Sequence, residues 1–189
     1  MKDIISWFYE MGQLKRVKRS GWWVAGVKDP ESVAEHSFRA ALIGYVLAGL
    51  EGADRNKTAV MCLFNDVHEA RINDLHKVGH RYIKFKEAEK KAFDEQTGKL
   101  PEKIREEIRT LFGEYHNDGS KEGIIARDAD LFECAVQAKE YLELGYKETQ
   151  NWIDNVENLL KTNSAKKLFE EMKNTDSNIW WKNLKKTER

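Results

Sequence analysis

The chain has 189 residues, enough for one domain with a core of its own, and its 32 Lys plus Arg balance its 32 Asp plus Glu. Zero net charge argues against the broad basic footprint that a nucleic-acid polymer needs, and 2 Pro with 12 Gly favour long helices over many short strands. Two cysteines, Cys62 and Cys134, form no CxxC pair and exclude a cysteine-rich zinc module or a disulfide scaffold, which suits a reducing cytoplasm.

The first helix is expected over 4–13. The basic stretch 14–23 follows neither period and reads as a loop. A second helix opens near Pro30, where Ser32 and Glu35 have capping-box spacing, and runs to about Leu50. Within it lies the longest apolar run, residues 40–50, broken by Gly44 and too short to span a bilayer. Gly52 ends that helix and Asp54 can cap a third. Its apolar residues 59–64 lead into Asn65-Asp66-Val67-His68-Glu69, and its end is expected between Arg71 and Asp74. An exposed charged helix is expected over 84–97, stopped by Gly98, then one from Pro101 to about Phe112. Ser120 caps a long helix to Leu144 that is apolar on most sides and therefore central. Amphipathic stretches near 149–160 and 164–172 follow. The tail 178–181 is expected to pack back on the body, and 185–189 reads as a frayed end. With no signal pattern after Met1, the expectation is a soluble, cytoplasmic, all-α protein of one domain, without a membrane partner.

Three polar points interrupt this apolar pattern. At about 100° per residue, Asn65, Asp66 and Glu69 share one face of the third helix, while His68 lies about 160° from Asp66. His36 stands inside the apolar second helix and Asp130 inside the central one. A charged, unpaired Asp in such a place costs on the order of several kcal/mol, so each needs a partner. Spacing leaves two solutions open: ordinary hydrogen bonds within the core, or convergence of His36, Asn65, Asp66 and Asp130 on one divalent metal such as manganese, cobalt or iron. In the second case Glu69, one turn on, stands behind the ligands and can move protons.

Together, 31–37 (ESVAEHS), 63–70 (LFNDVHEA) and Ala129-Asp130 resemble the HD-domain phosphohydrolase superfamily, whose signature is His, then His-Asp, then Asp on separate helices around a metal. The segments 14–16 and 19–22, the lead-in 30–33 and residues 69–75 narrow the resemblance to the 5'-deoxynucleotidase branch, over roughly residues 5 to 145. The resemblance implies a globular α-helical fold, usually a homodimer, that hydrolyses deoxynucleoside 5'-monophosphates. On this chain it implies a metal core at about 30–145, followed by C-terminal helices and a Trp tail over 146–189. Its metal ligands are His36, Asn65, Asp66 and Asp130, holding manganese, cobalt or similar, with magnesium or zinc also open. Glu69 matches the glutamate that positions or deprotonates water, Asp74 an aspartate near the sugar, and Trp22 an aromatic that discriminates against a 2'-hydroxyl. Arg19 is the matching phosphate-reading arginine.

One departure stands out: the His-Asp doublet of the family reads Asn65-Asp66, and an amide is a weaker metal ligand than imidazole. It is compatible with a site of altered metal affinity, with a natural protein that binds nucleotide without turning it over, or with a change introduced to stop catalysis. An HD phosphohydrolase acting on another phosphoester is a further alternative.

Overall fold

In the computed structural model, which describes residues 1–117, 119–182 and 184, the capping box forms as the sequence predicts. Ser32 Oγ accepts the Glu35 backbone N–H while Glu35 Oε2 accepts that of Ser32, at 3.3 and 2.6 Å. This start fixes α3 (Val33–Glu51), which ends at Gly52 in the left-handed region, φ 66°. Asp54 then caps α4 (Arg55–Asn65). The remaining helices are α1 (Lys2–Met11), α2 (Gly21–Val24), α5 (Glu69–Ile72), α6 (Phe85–Thr97), α7 (Glu102–His116), α8 (Lys121–Glu143), α9 (Gln150–Glu157), α10 (Asn163–Asn174) and α11 (Ile179–Lys182). The described residues contain no strand, only one antiparallel bridge between Lys18 and Ser32. No helix among them is long and apolar enough to cross a membrane.

The centre is α8, which packs on α3, α4, α7, α9 and α10. Ala126, Ala129, Ala135 and Ala138 expose nothing, and these small side chains let the neighbouring helices approach closely. Gly44 serves the same end where α3 meets α4: a Cβ there would sit 2.9 Å from Cys62 Sγ. A second, smaller core of Val67, Phe93, Leu100 and Ile108 lies under α6 and α7, with Trp7 of α1 stacked on Phe64 beside it.

Three expectations are corrected. The third helix stops at Asn65; after a break at 66–68 the chain resumes as α5. The Val67 carbonyl, which accepts the Ala70 N–H at 3.2 Å in a tight turn, also takes the Gln96 side chain at 3.0 Å, a tertiary bond that holds the break. The face-sharing geometry assumed for Asn65, Asp66 and Glu69 therefore does not apply. The stretch 14–23 is not all loop, since it holds a 3-10 turn (Gly12–Lys15) and α2. In the tail, Ser177 is tied to Glu143, yet Trp180 and Trp181 stay 71% and 48% exposed. The expected frayed end at 185–189 lies outside the described residues.

Candidate active site

Breaking the third helix has a consequence: Asp66 becomes a junction residue between α4 and α5, turned toward the first turn of α3 and the middle of α8. There His36 Nε2 lies 2.8 Å from Asp130 Oδ1 and 3.5 Å from Asp66 Oδ2. One ligand atom from each of His36, Asp66 and Asp130 falls within 4.8 Å of the other two. His36 and Asp66 are buried, while the Asp130 side chain is 27% exposed, so the cluster opens on its α8 side. Asn65, also buried, donates its amide Nδ2 to Asp66 Oδ1 at 2.7 Å.

The charges inside this group are set by one another. Burial and Arg19 oppose protonation of His36, but Glu133 and Asp130 outweigh them and hold its pKa well above the ordinary value. Burial works against the Asp130 carboxylate, yet bonds from His36 and Tyr115 bring it down to about 2. Asp66 moves the other way, pushed up by burial and by the Asp130 charge. Glu69, the first residue of α5, is 5% exposed; burial and the Asp66 and Asp74 carboxylates push its pKa well above the usual carboxylate range. Its Oε2 is buried without a hydrogen-bond partner.

Arg19 spans two of these acids, with Nη1 3.9 Å from Asp66 Oδ2 and Nε 3.7 Å from Asp74 Oδ2. Asp74 also accepts the Ser20 backbone N–H at 3.0 Å, so it anchors the Arg19 segment. Trp22 is placed differently. It is 2% exposed, packs between Tyr141 and Trp152 in the main core, and donates its indole N–H to Glu31 at 3.1 Å. The structure thus gathers His36, Asn65, Asp66, Asp130, Arg19 and Asp74 at one place, with Glu69 beside them, and sets Trp22 behind.

Sequence reasoning missed Glu133, Arg39 and Glu31. Glu133 Oε2 bonds His36 Nδ1, and its Oε1 accepts Arg39 Nε at 2.9 Å. A signal was present: Glu133 follows Asp130 by three residues, on the same face of α8. His116 ends α7 and bonds Glu89 Oε1 at 2.7 Å.

The donor set fits a divalent cation: an imidazole nitrogen and carboxylate oxygens, on separate elements, with the far imidazole nitrogen held by a carboxylate. A family model described as the HD domain matches residues 11–173, and the chain belongs to that family. Within it the chain falls in the 5'-deoxynucleotidase-like branch. It is 34% identical over 151 residues to 5'-deoxynucleotidase HDDC2 of Dictyostelium discoideum, across 75% of this chain and 78% of that one. The human protein of the same name is 30% identical, across 77% and 72%. Among solved structures, a conserved hypothetical protein from Pyrococcus furiosus superposes with a TM-score of 0.75 at 31% identity, covering 90% of this chain and 99% of that one.

Proposed function

We propose that this chain is a metal-dependent phosphohydrolase that removes phosphate from deoxynucleoside 5'-monophosphates. The observation that carries the proposal is the meeting of His36, Asp66 and Asp130 within 4.8 Å beside the free oxygen of Glu69. The names of the relatives support the substrate class. His36, Asp66 and Asp130 would hold the ion, with Asn65 at a weaker fourth corner; manganese, cobalt or a similar metal suits these donors. Such an ion supplies Lewis-acid polarisation of the phosphoryl oxygen and lowers the pKa of a bound water.

The other steps belong to the protein. Arg19 grips the phosphate as a planar fork, and Asp74 keeps that arginine and the Ser20 backbone in place. A water oxygen bonds to phosphorus as the bond to the 5'-oxygen breaks, and Glu69 takes the water proton. Its raised pKa favours keeping that proton until the departing alkoxide needs one. Trp22 is the proposed barrier to a 2'-hydroxyl; since it is 2% exposed, α2 must yield for it to reach the sugar.

A second reading rests on Asn65. Its amide donates to Asp66, an arrangement that satisfies a carboxylate without any metal, as in a nucleotide-binding protein with little turnover. Phosphate release from deoxy- and ribonucleoside monophosphates, with manganese, cobalt or magnesium, separates the two when the chain is compared with Asn65→His. Deoxynucleotide turnover by the unmodified chain supports the enzyme. Turnover by the histidine variant alone supports the binding protein, and turnover by neither, in folded protein, removes the proposed substrate. We also assign the chain to the cytoplasm, in keeping with its free cysteines, and infer a homodimer. Phe38, Leu42, Val46 and Leu50 form an exposed apolar row along α3, which supports a second copy as partner.

A further inference from the structure

One fully buried acid has no part in the reaction just described. Glu133 exposes nothing and stands one turn beyond Asp130 on α8. Its Oε2 meets His36 Nδ1, and its Oε1 accepts Arg39 Nε at 2.9 Å. Arg39 also donates to Gln137 at 2.6 Å and Glu140 at 2.8 Å, so residues 133, 137 and 140, on one face of α8, fix its guanidinium. The result is a chain of contacts from α8 through Arg39 and Glu133 to the far side of the His36 ring.

Geometry limits what this network can be. Glu31, His36 and Glu133 also bring ligand atoms within 4.8 Å of one another. Their atoms are engaged, however: His36 Nδ1 with Glu133, the other Glu133 oxygen with Arg39, and Glu31 Oε1 with the Trp22 indole. A cation held by these three would have to displace the bond between His36 Nδ1 and Glu133. Orientation is the role left. With Nδ1 turned to Glu133, Nε2 is the ring nitrogen that faces Asp66 and Asp130. A ring turned over by half a rotation would set carbon atoms against the buried Glu133 carboxylate and leave it unpaired on that side.

We propose that Glu133, clamped by Arg39, is a positioning residue that keeps a proton on His36 Nδ1 and aims Nε2 as the ligand nitrogen. The ligand half of the proposal rests on the metal reading above; the orienting half does not.

The test uses the full chain with Glu133→Ala, Glu133→Gln and Arg39→Met. It has two readouts: histidine-ring proton–nitrogen NMR of the metal-free protein, and equilibrium Mn2+ affinity from the free-ion EPR signal. The unmodified chain is expected to show a slowly exchanging His36 Nδ1–H resonance. Glu133→Ala loses it together with about 10- to 100-fold in Mn2+ affinity, the usual cost of removing the partner of a metal-binding histidine. Glu133→Gln keeps one acceptor oxygen for His36 but sets its amide N–H2 against Arg39, so it retains the resonance and loses no more affinity than Arg39→Met, an intermediate result that mere filling of space would not predict. If Glu133→Ala does not fold, Arg39→Met carries the test, because it loosens Glu133 while leaving every proposed ligand; about a tenfold loss is expected. Unchanged resonance and affinity in folded Glu133→Ala or Arg39→Met overturns the proposal. A protected Nδ1–H in a chain that binds no Mn2+ overturns the ligand half and the metal reading, and upholds the orienting half.

Discussion

Glu69 and Asp74 show how far residue identity alone determines chemistry. Both are acids five residues apart in sequence, yet only Glu69 is buried with an unpartnered oxygen and a pKa well above the usual carboxylate range, while Asp74 is tied to Arg19 and the Ser20 backbone. Glu69→Gln keeps the shape and removes the proton acceptor. If Glu69 serves the attacking water, kcat for deoxynucleotide hydrolysis should fall by about 10²–10⁴ with KM within roughly threefold, as expected for a group acting in the transition state. Steady-state kinetics decide it: a kcat close to that of the unmodified chain removes Glu69 from the chemistry. His36 and Asp130 were legible in the sequence because each is a polar residue at an apolar position. Glu133 was hidden behind Asp130, since two neighbouring acids on one helix read as a single anomaly. The bond that gives Glu133 its place reaches 97 residues back to His36, a separation at which no local pattern operates.

At the scale of elements, the sites of caps and stops were the most legible: Ser32, Gly52, Asp54, Gly98 and Ser120 are local chemistry, and the structure places helix boundaries at each. The break after Asn65 was not legible, because nothing in 65–69 forbids a helix and the tertiary bond that holds it comes from Gln96 on α6. The crossing of α3 and α4 matters most to the site, as it sets His36 against the end of α4. Gly44 makes that crossing close, with a new Cβ falling 2.9 Å from Cys62 Sγ and 3.3 Å from Thr58 Cγ2. Gly44→Ala should destabilise the protein by about 1–3 kcal/mol, the usual range for overpacking a well-filled contact. Urea unfolding gives the value, and adding Cys62→Ala should recover part of it, since it removes the nearer clash. A Gly44→Ala loss below about 0.5 kcal/mol, with no coupling to Cys62, would show that the helices can separate at little cost.

At the scale of the whole molecule, an ion network around Glu10 ties α1 to α5 and to the segment after α6. Glu10 accepts Arg71 Nε at 2.5 Å, on the α5 that begins with Glu69, and Lys99 Nζ at 2.5 Å, just beyond α6. Arg71 reaches on to Glu95 at 2.7 Å. One acid thus connects α1, the helix of the proposed proton acceptor, and the segment that leads into α7. Burial alone would raise the Glu10 pKa, but the Arg71 and Lys99 bonds bring it down to about 2 from an ordinary 4.5. The sign follows from linkage. A carboxyl whose folded value lies below its unfolded value stabilises the fold fully above about 4.5, and that contribution is lost as pH falls toward 2. Partial exposure and salt screening limit it to about 1 kcal/mol. Glu10→Gln should therefore be less stable than the unmodified chain near pH 7, by up to about that amount. The two urea midpoints should converge as pH is lowered from 4.5 toward 2, and 1 M salt at pH 7 should narrow the gap as well. A difference that stays constant across this range would mean that Glu10 acts through packing and shape, and that its charge does not tie α1 to α5 and α6.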